Sequence, residues 1–150
     1  MKIKKWLYWI PAFCWMLVIF YLSHQPADES SQLSSGITTI LISMIEFIFP
    51  LDDLHFFHFL VRKAAHFFAY FVLGILVFYA LQQSLRKVNW NQAVTAFFIS
   101  VLYAISDEFH QLFIPGRSCE MRDILIDSFG AFFGISLYYL YLYLSTKKKV

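Results

Sequence analysis

Charge is what this chain has least of. Asp, Glu, Lys and Arg together make up 15% of its 150 residues, where a soluble domain carries about a quarter. That shortage excludes an ordinary water-facing surface. Cysteine is nearly absent as well. Cys14 lies in an apolar run and Cys119 among charged residues, so the two belong at different depths and no disulfide is expected. Cys119 has no evident activating base and reads as a free thiol. No internal repeat is evident. Nor is there a good small-x-small cleavage site around Ser23-His24-Gln25-Pro26, so the first apolar run is expected to be a retained span rather than a signal peptide.

Apolar residues dominate: 59% of the chain is hydrophobic and 21% aromatic. They come in long runs rather than short periodic stripes, which points to an all-α integral membrane protein with a single domain over 1–150. Four runs, at about 6–22, 64–82, 92–111 and 123–144, are long enough to cross a bilayer and predict a four-transmembrane-helix bundle. Between the first two, Ile37, Ile40, Leu41, Met44, Ile45 and Ile48 share one helical face, with Thr38, Thr39, Ser43 and Glu46 mainly on the other. This predicts an amphipathic helix lying in the outer interface or packed on the outside of the bundle. Phe49-Pro50 ends it, and Asp52 and Asp53 can cap a helix starting near Leu54. His55 and His58 sit among phenylalanines and read as part of an aromatic interface anchor rather than a metal pair.

The chain is organised around 106–134. This stretch packs Asp107, Glu108, His110, Gln111, Arg117, Glu120, Arg122, Asp123 and Asp127 between two apolar runs. Ionisable residues at a membrane edge are costly, so a site is the default reading. On a continuing helix Asp107, His110 and Gln111 share a face and Glu108 points elsewhere. Ile114-Pro115-Gly116-Arg117 suits a type II turn that aims Arg117 back toward the preceding helix. Ser118 is the expected N-cap of the next helix, and Gly130 and Gly134 would let a neighbouring helix come close. Arg62, His66 and Tyr70 recur every fourth residue at the mouth of the second run, beside Lys63.

Charge asymmetry orients the chain. Lys2, Lys4, Lys5, Arg86, Lys87, Lys147, Lys148 and Lys149 fall on one side with no acid among them. Arg62, Lys63, Arg117 and Arg122 fall on the other with all ten carboxylates. The basic side is expected in the cytoplasm with both termini. The terminal lysines read as a topology anchor, not a nucleic-acid patch.

Arg62-Lys63-x-x-His66-x-x-x-Tyr70, Ser106-Asp107-Glu108-x-His110-Gln111-x-Phe113-x-Pro115-Gly116-Arg117, then Asp123, Asp127 and Gly130, together resemble the VanZ-like family. Ser23-x-Gln25-Pro26 fits the same pattern. The resemblance implies a small multi-pass protein of the bacterial cytoplasmic membrane. The family's founding member is linked to resistance to teicoplanin and related lipoglycopeptides; no biochemical mechanism comes with the resemblance.

Two functions follow as expectations. In the first, Arg62, Lys63, His66, Tyr70, Asp107, Glu108, His110, Gln111, Arg117, Asp123 and Asp127 bind an anionic lipid headgroup or a lipid-linked wall precursor. In the second, the protein is an intramembrane enzyme acting on a phospholipid or polyprenyl-linked precursor. His66 or His110 would be its base, with Asp107, Glu108 or Asp123 assisting and Arg117 stabilising an anionic transition state. A subset of His66, Asp107, His110 and Asp123 offers metal donors, but the spacing matches no standard motif. No metal, soluble cofactor or nucleic-acid partner is expected, and oligomerisation stays open. A transporter is disfavoured because the cytoplasmic halves of the spans carry no charge. A plain salt-bridge clasp between helices is the bland alternative.

Overall fold

The computed structural model describes residues 4–26, 36, 54–86 and 88–147. Among them the chain is helical, with no strand. A short 3-10 helix, Lys5–Trp9, leads into α1, Ile10–Ser23. Then come α2, Leu54–Leu85, α3, Trp90–Gln111, and α4, Met121–Lys147. The amphipathic helix expected near 37–48 lies outside the described residues.

Local chemistry explains the ends. Pro11 sits in the first turn of α1, where its missing N–H costs nothing. Asn89 caps α3 by accepting a 3.0 Å hydrogen bond from the Gln92 N–H. Arg86 closes α2 with a left-handed φ of 52°. The Ile114–Arg117 turn closes through the Arg117 N–H to the Ile114 carbonyl at 3.1 Å. Gly116 there adopts the positive φ, 74°, that a type II turn requires. Over its described residues, from Leu54 on, the expected interface anchor and the second apolar run form one continuous 32-residue helix, and the expected caps Asp52 and Asp53 lie outside the described residues. At about 1.5 Å per residue it outruns a hydrocarbon layer of about 30 Å, so its polar start extends past the apolar slab. The side chains of His55 and His58 lie outside the described residues.

Lys5–Ser23, Phe59–Leu85 and Met121–Lys147 are long and apolar enough to cross a membrane. The expected fourth span, α3, is not among them, because Asn91, Gln92, Asp107, Glu108, His110 and Gln111 dilute its apolar middle at both ends. Large apolar side chains such as Phe13, Leu17, Phe68, Phe98, Leu102 and Phe129 are exposed around the outside. That is the inverse of a soluble surface.

The second helix is central and packs against all the others. Tyr70, Leu73, Val77 and Ala80 run down its buried stripe. On α3, Ala96, Ser100 and Ala104 are fully buried one turn apart and keep the helices close. The tightest seam joins α2 to α4. A Cβ on Gly130 would collide with the Phe67 carbonyl, and one on Gly134 with the Phe71 carbonyl. Gly74 answers from α2, meeting the Ala131 backbone. Two aromatic donors tie α1 on. Trp15 Nε1 donates to the Ala69 carbonyl at 2.8 Å, and the Tyr103 hydroxyl donates to the Met16 carbonyl at 2.6 Å. Successive helices alternate in direction, so the end of α1, the polar start of α2, the end of α3 and the start of α4 meet at one end of the bundle.

Candidate functional site: a buried carboxylate cluster at the polar end

The site is built from the second helix outward. The i, i+4, i+8 spacing turns Arg62, His66 and Tyr70 toward the same side, from half-buried Arg62 down to fully buried Tyr70. Lys63, beside this stripe, is buried too. Its Nζ donates to Glu120 Oε2 at 3.0 Å and makes a closer ion pair with Asp123. The Asp123 side chain is 2% exposed and the Glu120 side chain 42% exposed. The Asp123 pair therefore carries the electrostatic weight and the Glu120 pair is screened.

Glu120 also starts α4. Its carbonyl accepts the Asp123 N–H at 2.9 Å, and its own N–H donates to Glu108 Oε2 at 3.0 Å. The cap expected from Ser118 is displaced to Glu120, because α4 starts only at Met121 and Ser118 lies exposed in the connecting segment. Glu108 does not point away from the site. It is fully buried with Asp107 and Gln111, since the end of α3 is enclosed by more than one neighbour and two adjacent faces turn inward.

Asp107 is reached from α1. Ser23 Oγ donates to Asp107 Oδ2 at 2.7 Å, and Gln111 Nε2 approaches Ser23 Oγ at 3.5 Å. Arg117 closes this corner. Its Nε donates to the Gln25 carbonyl at 2.9 Å, Nη2 to the Leu22 carbonyl at 3.2 Å and Nη1 to Gln111 Oε1 at 3.4 Å. Burial first, and the Arg62 guanidinium second, pull Arg117 below the usual arginine value, while Asp107, Glu108 and Asp123 push back. An arginine so placed keeps its charge. Its fork is spent on the frayed carbonyls of α1, so it acts as a clasp.

His110 pairs with a histidine of the α1 end rather than with an acid. Its Nε2 lies 3.1 Å from Nδ1 of His24, the rings stack with centroids 5.3 Å apart, and Phe20 packs at 4.6 Å. His66 takes the inner position instead, its Nδ1 3.3 Å from Asp127 Oδ1. Among the described residues neither Asp127 oxygen has a hydrogen-bond partner within full hydrogen-bond geometry. The same holds for Glu108 Oε1, Asp107 Oδ1, the Tyr70 hydroxyl and Arg62 Nε, all buried.

Ser23, His24 and the Gln25 carbonyl are the site partners that no charge pattern announced. The available signal was a serine and a glutamine closing an apolar run within the Ser23-x-Gln25-Pro26 pattern. An apolar groove of about 330 Å³ lined by Trp90, Phe97, Phe132 and Tyr139 lies toward the other end and shares no residue with the cluster.

Four buried carboxylates therefore meet from two helices, α3 and α4, and among the described residues only Asp123 of the four contacts a lysine or arginine. Such an arrangement can hold a cation, exchange protons, or orient His66 as a base. No curated protein and no solved structure matches the chain. A family model described as VanZ/LLP1 does, over residues 8–142. That match takes in all four helices but for the last residues of α4, together with every side chain of the cluster, and the chain belongs to the VanZ-like family.

Proposed function

We propose that this VanZ-like membrane protein takes an anionic lipid headgroup, or the phosphate end of a lipid-linked wall precursor, at its polar end and so alters glycopeptide susceptibility. In this reading α3 is a fourth span, both termini are in the bacterial cytoplasm and the cluster faces outward. The observation that carries it is Arg62. Its Nε is buried and has no hydrogen-bond partner among the described residues, while Lys63 and Arg117 are engaged within the protein. A guanidinium with an unspent donor is suited to a phosphate oxygen.

The test uses full-length protein in nanodiscs, with an anionic fluorescent phospholipid titrated against a zwitterionic one. Wild type should prefer the anionic probe, and Arg62→Ala should lose that preference while Arg122→Ala keeps it. Teicoplanin susceptibility of cells carrying each form should move in step. Equal binding of the two probes by wild type would overturn the reading.

One observation favours a second reading, an enzyme acting on a phospholipid or polyprenyl-linked precursor. His66 presents Nδ1 to Asp127, which leaves Nε2 available to take a proton. Lipid extracts from cells with and without the protein, and with His66→Gln, should then differ in one species. Identical extracts would remove this alternative.

A further inference from the structure

We propose that His66, Glu108 and Asp127 form a binding site for a divalent first-row cation of the Zn²⁺ or Mn²⁺ kind. The three residues come from α2, α3 and α4, and one donor atom from each lies within 4.8 Å of the others. Two donors at about 2.1 Å from one ion can stand no more than about 4.2 Å apart. A small inward rotation of side chains therefore closes the set.

The acids themselves point to a ligand. Asp127 is fully buried, and both its oxygens are without hydrogen-bond partners among the described residues. Glu108 is also fully buried; the Glu120 N–H satisfies Oε2, but Oε1 has no partner among the described residues. A buried carboxylate with open lone pairs is expensive unless a positive charge sits on it. Two of the nearby cations are committed elsewhere, Lys63 to Asp123 and Arg117 to the carbonyls of α1, and among the described residues Arg62 pairs with neither Glu108 nor Asp127. Two carboxylates and a neutral imidazole around a divalent ion sum to zero charge, whereas His66 as imidazolium would leave the trio negative.

The donor set selects the ion. One imidazole nitrogen with two carboxylates suits borderline first-row metals, while Ca²⁺ wants six or more oxygens and Mg²⁺ keeps most of its water. Three protein donors leave at least one position for water or a phosphate oxygen. Asp107 Oδ1 and the Tyr70 hydroxyl, both buried and without partners among the described residues, are further polar atoms of the same cluster. These ligands differ from the set suggested by spacing alone: Asp107 is held by Ser23, Asp123 by Lys63, and His110 faces His24.

The test is metal binding by the purified full-length protein in detergent, stripped with chelator and then dialysed against Zn²⁺, Mn²⁺ or Co²⁺. Wild type should retain one ion per chain by elemental analysis, and Co²⁺ should give d–d absorption without thiolate charge-transfer bands. Asp127→Asn and Glu108→Gln should lose the ion, while Glu120→Gln, outside the trio, should keep it. Because the wild-type spectrum needs no variant, a misfolded mutant leaves the test intact. A wild type that retains no ion, meaning that protons alone neutralise the acids, would overturn the proposal. So would a thiolate band marking Cys14 or Cys119 as a ligand, or an ion that survives both trio substitutions. Lipid-probe binding is a separate readout, so the headgroup reading and the metal site can fail independently.

Discussion

Ser23 at the last turn of α1 donates a 2.7 Å hydrogen bond to Asp107 Oδ2 on α3, and both side chains are buried. Asp107 Oδ1 already lacks a partner among the described residues. Ser23→Ala would leave both oxygens unsatisfied, at a cost of about 1–3 kcal/mol. We expect a clear drop in unfolding midpoint in detergent, and a smaller one for Asp107→Asn, whose amide oxygen still accepts from Ser23. Equal losses would show that the hydroxyl–carboxylate bond is not what holds this corner.

Lys63 and Asp123 should behave as a buried pair. Lys63→Met strands a carboxylate that is 2% exposed, and breaking a buried pair costs about 3–5 kcal/mol. Adding Asp123→Asn to that variant should recover part of the loss, a coupling that a double-mutant cycle measures directly. Lys63 also reaches half-exposed Glu120, and Glu120→Gln should change stability little. Additive losses for the two buried residues would refute the pairing.

The seam between α2 and α4 tolerates no side chain at Gly130. Gly130→Ala drives a methyl into the Phe67 carbonyl, which is backbone and cannot rotate aside. Overpacking of this kind costs about 1–3 kcal/mol. It should also spread His66 from Asp127, because those residues flank the same contact. A lowered unfolding midpoint, together with weaker metal retention, is the expected pair of results. A variant as stable as wild type would mean that the helices sit farther apart.

Gly116 holds a φ of 74°. Gly116→Ala should cost about 1 kcal/mol from the left-handed backbone alone. It should also loosen the Arg117 clasp on the Leu22 and Gln25 carbonyls. Faster proteolysis after α1 in the variant, with α2–α4 still folded, would report that loosening; an unchanged cleavage rate would count against it.

Cys119 is exposed, one residue before Glu120 at the polar end. If that end faces outward, a membrane-impermeant maleimide should label Cys119 in intact spheroplasts. A Cys placed at Ser84, near the opposite end beside Lys5, should label only after permeabilisation. The reverse pattern would invert the topology, and with it the headgroup proposal.

Much of the architecture was legible in the residues. Run length and aromatic content located the helices, because an apolar segment long enough to cross a bilayer has few other stable forms. Pro115-Gly116 announced its turn because φ preferences are local, and Gly130 with Gly134 marked the close seam. The convergence of the 62–70 and 106–127 segments at one end was also expected from four alternating apolar runs. Partner choice was not legible. Arg117 looked like an anion-binding residue and is a clasp on α1. His110 looked like a base beside the acids and stacks on His24. Glu108 was expected to point away and is among the most buried residues in the protein.

Alone, the order of residues determined that this is a helical membrane protein of the VanZ-like family with the 62–70 and 106–127 segments brought to one end, since hydrophobic length and turn chemistry are properties of short segments. The tertiary structure decided which charge answers which: Lys63 with Asp123, Ser23 with Asp107, and His66 with Glu108 and Asp127. Those pairings depend on how far each helix is rotated and slid against its neighbours. Backbone collisions at Gly74, Gly130 and Gly134 set that register, and they come from helices far apart in the chain.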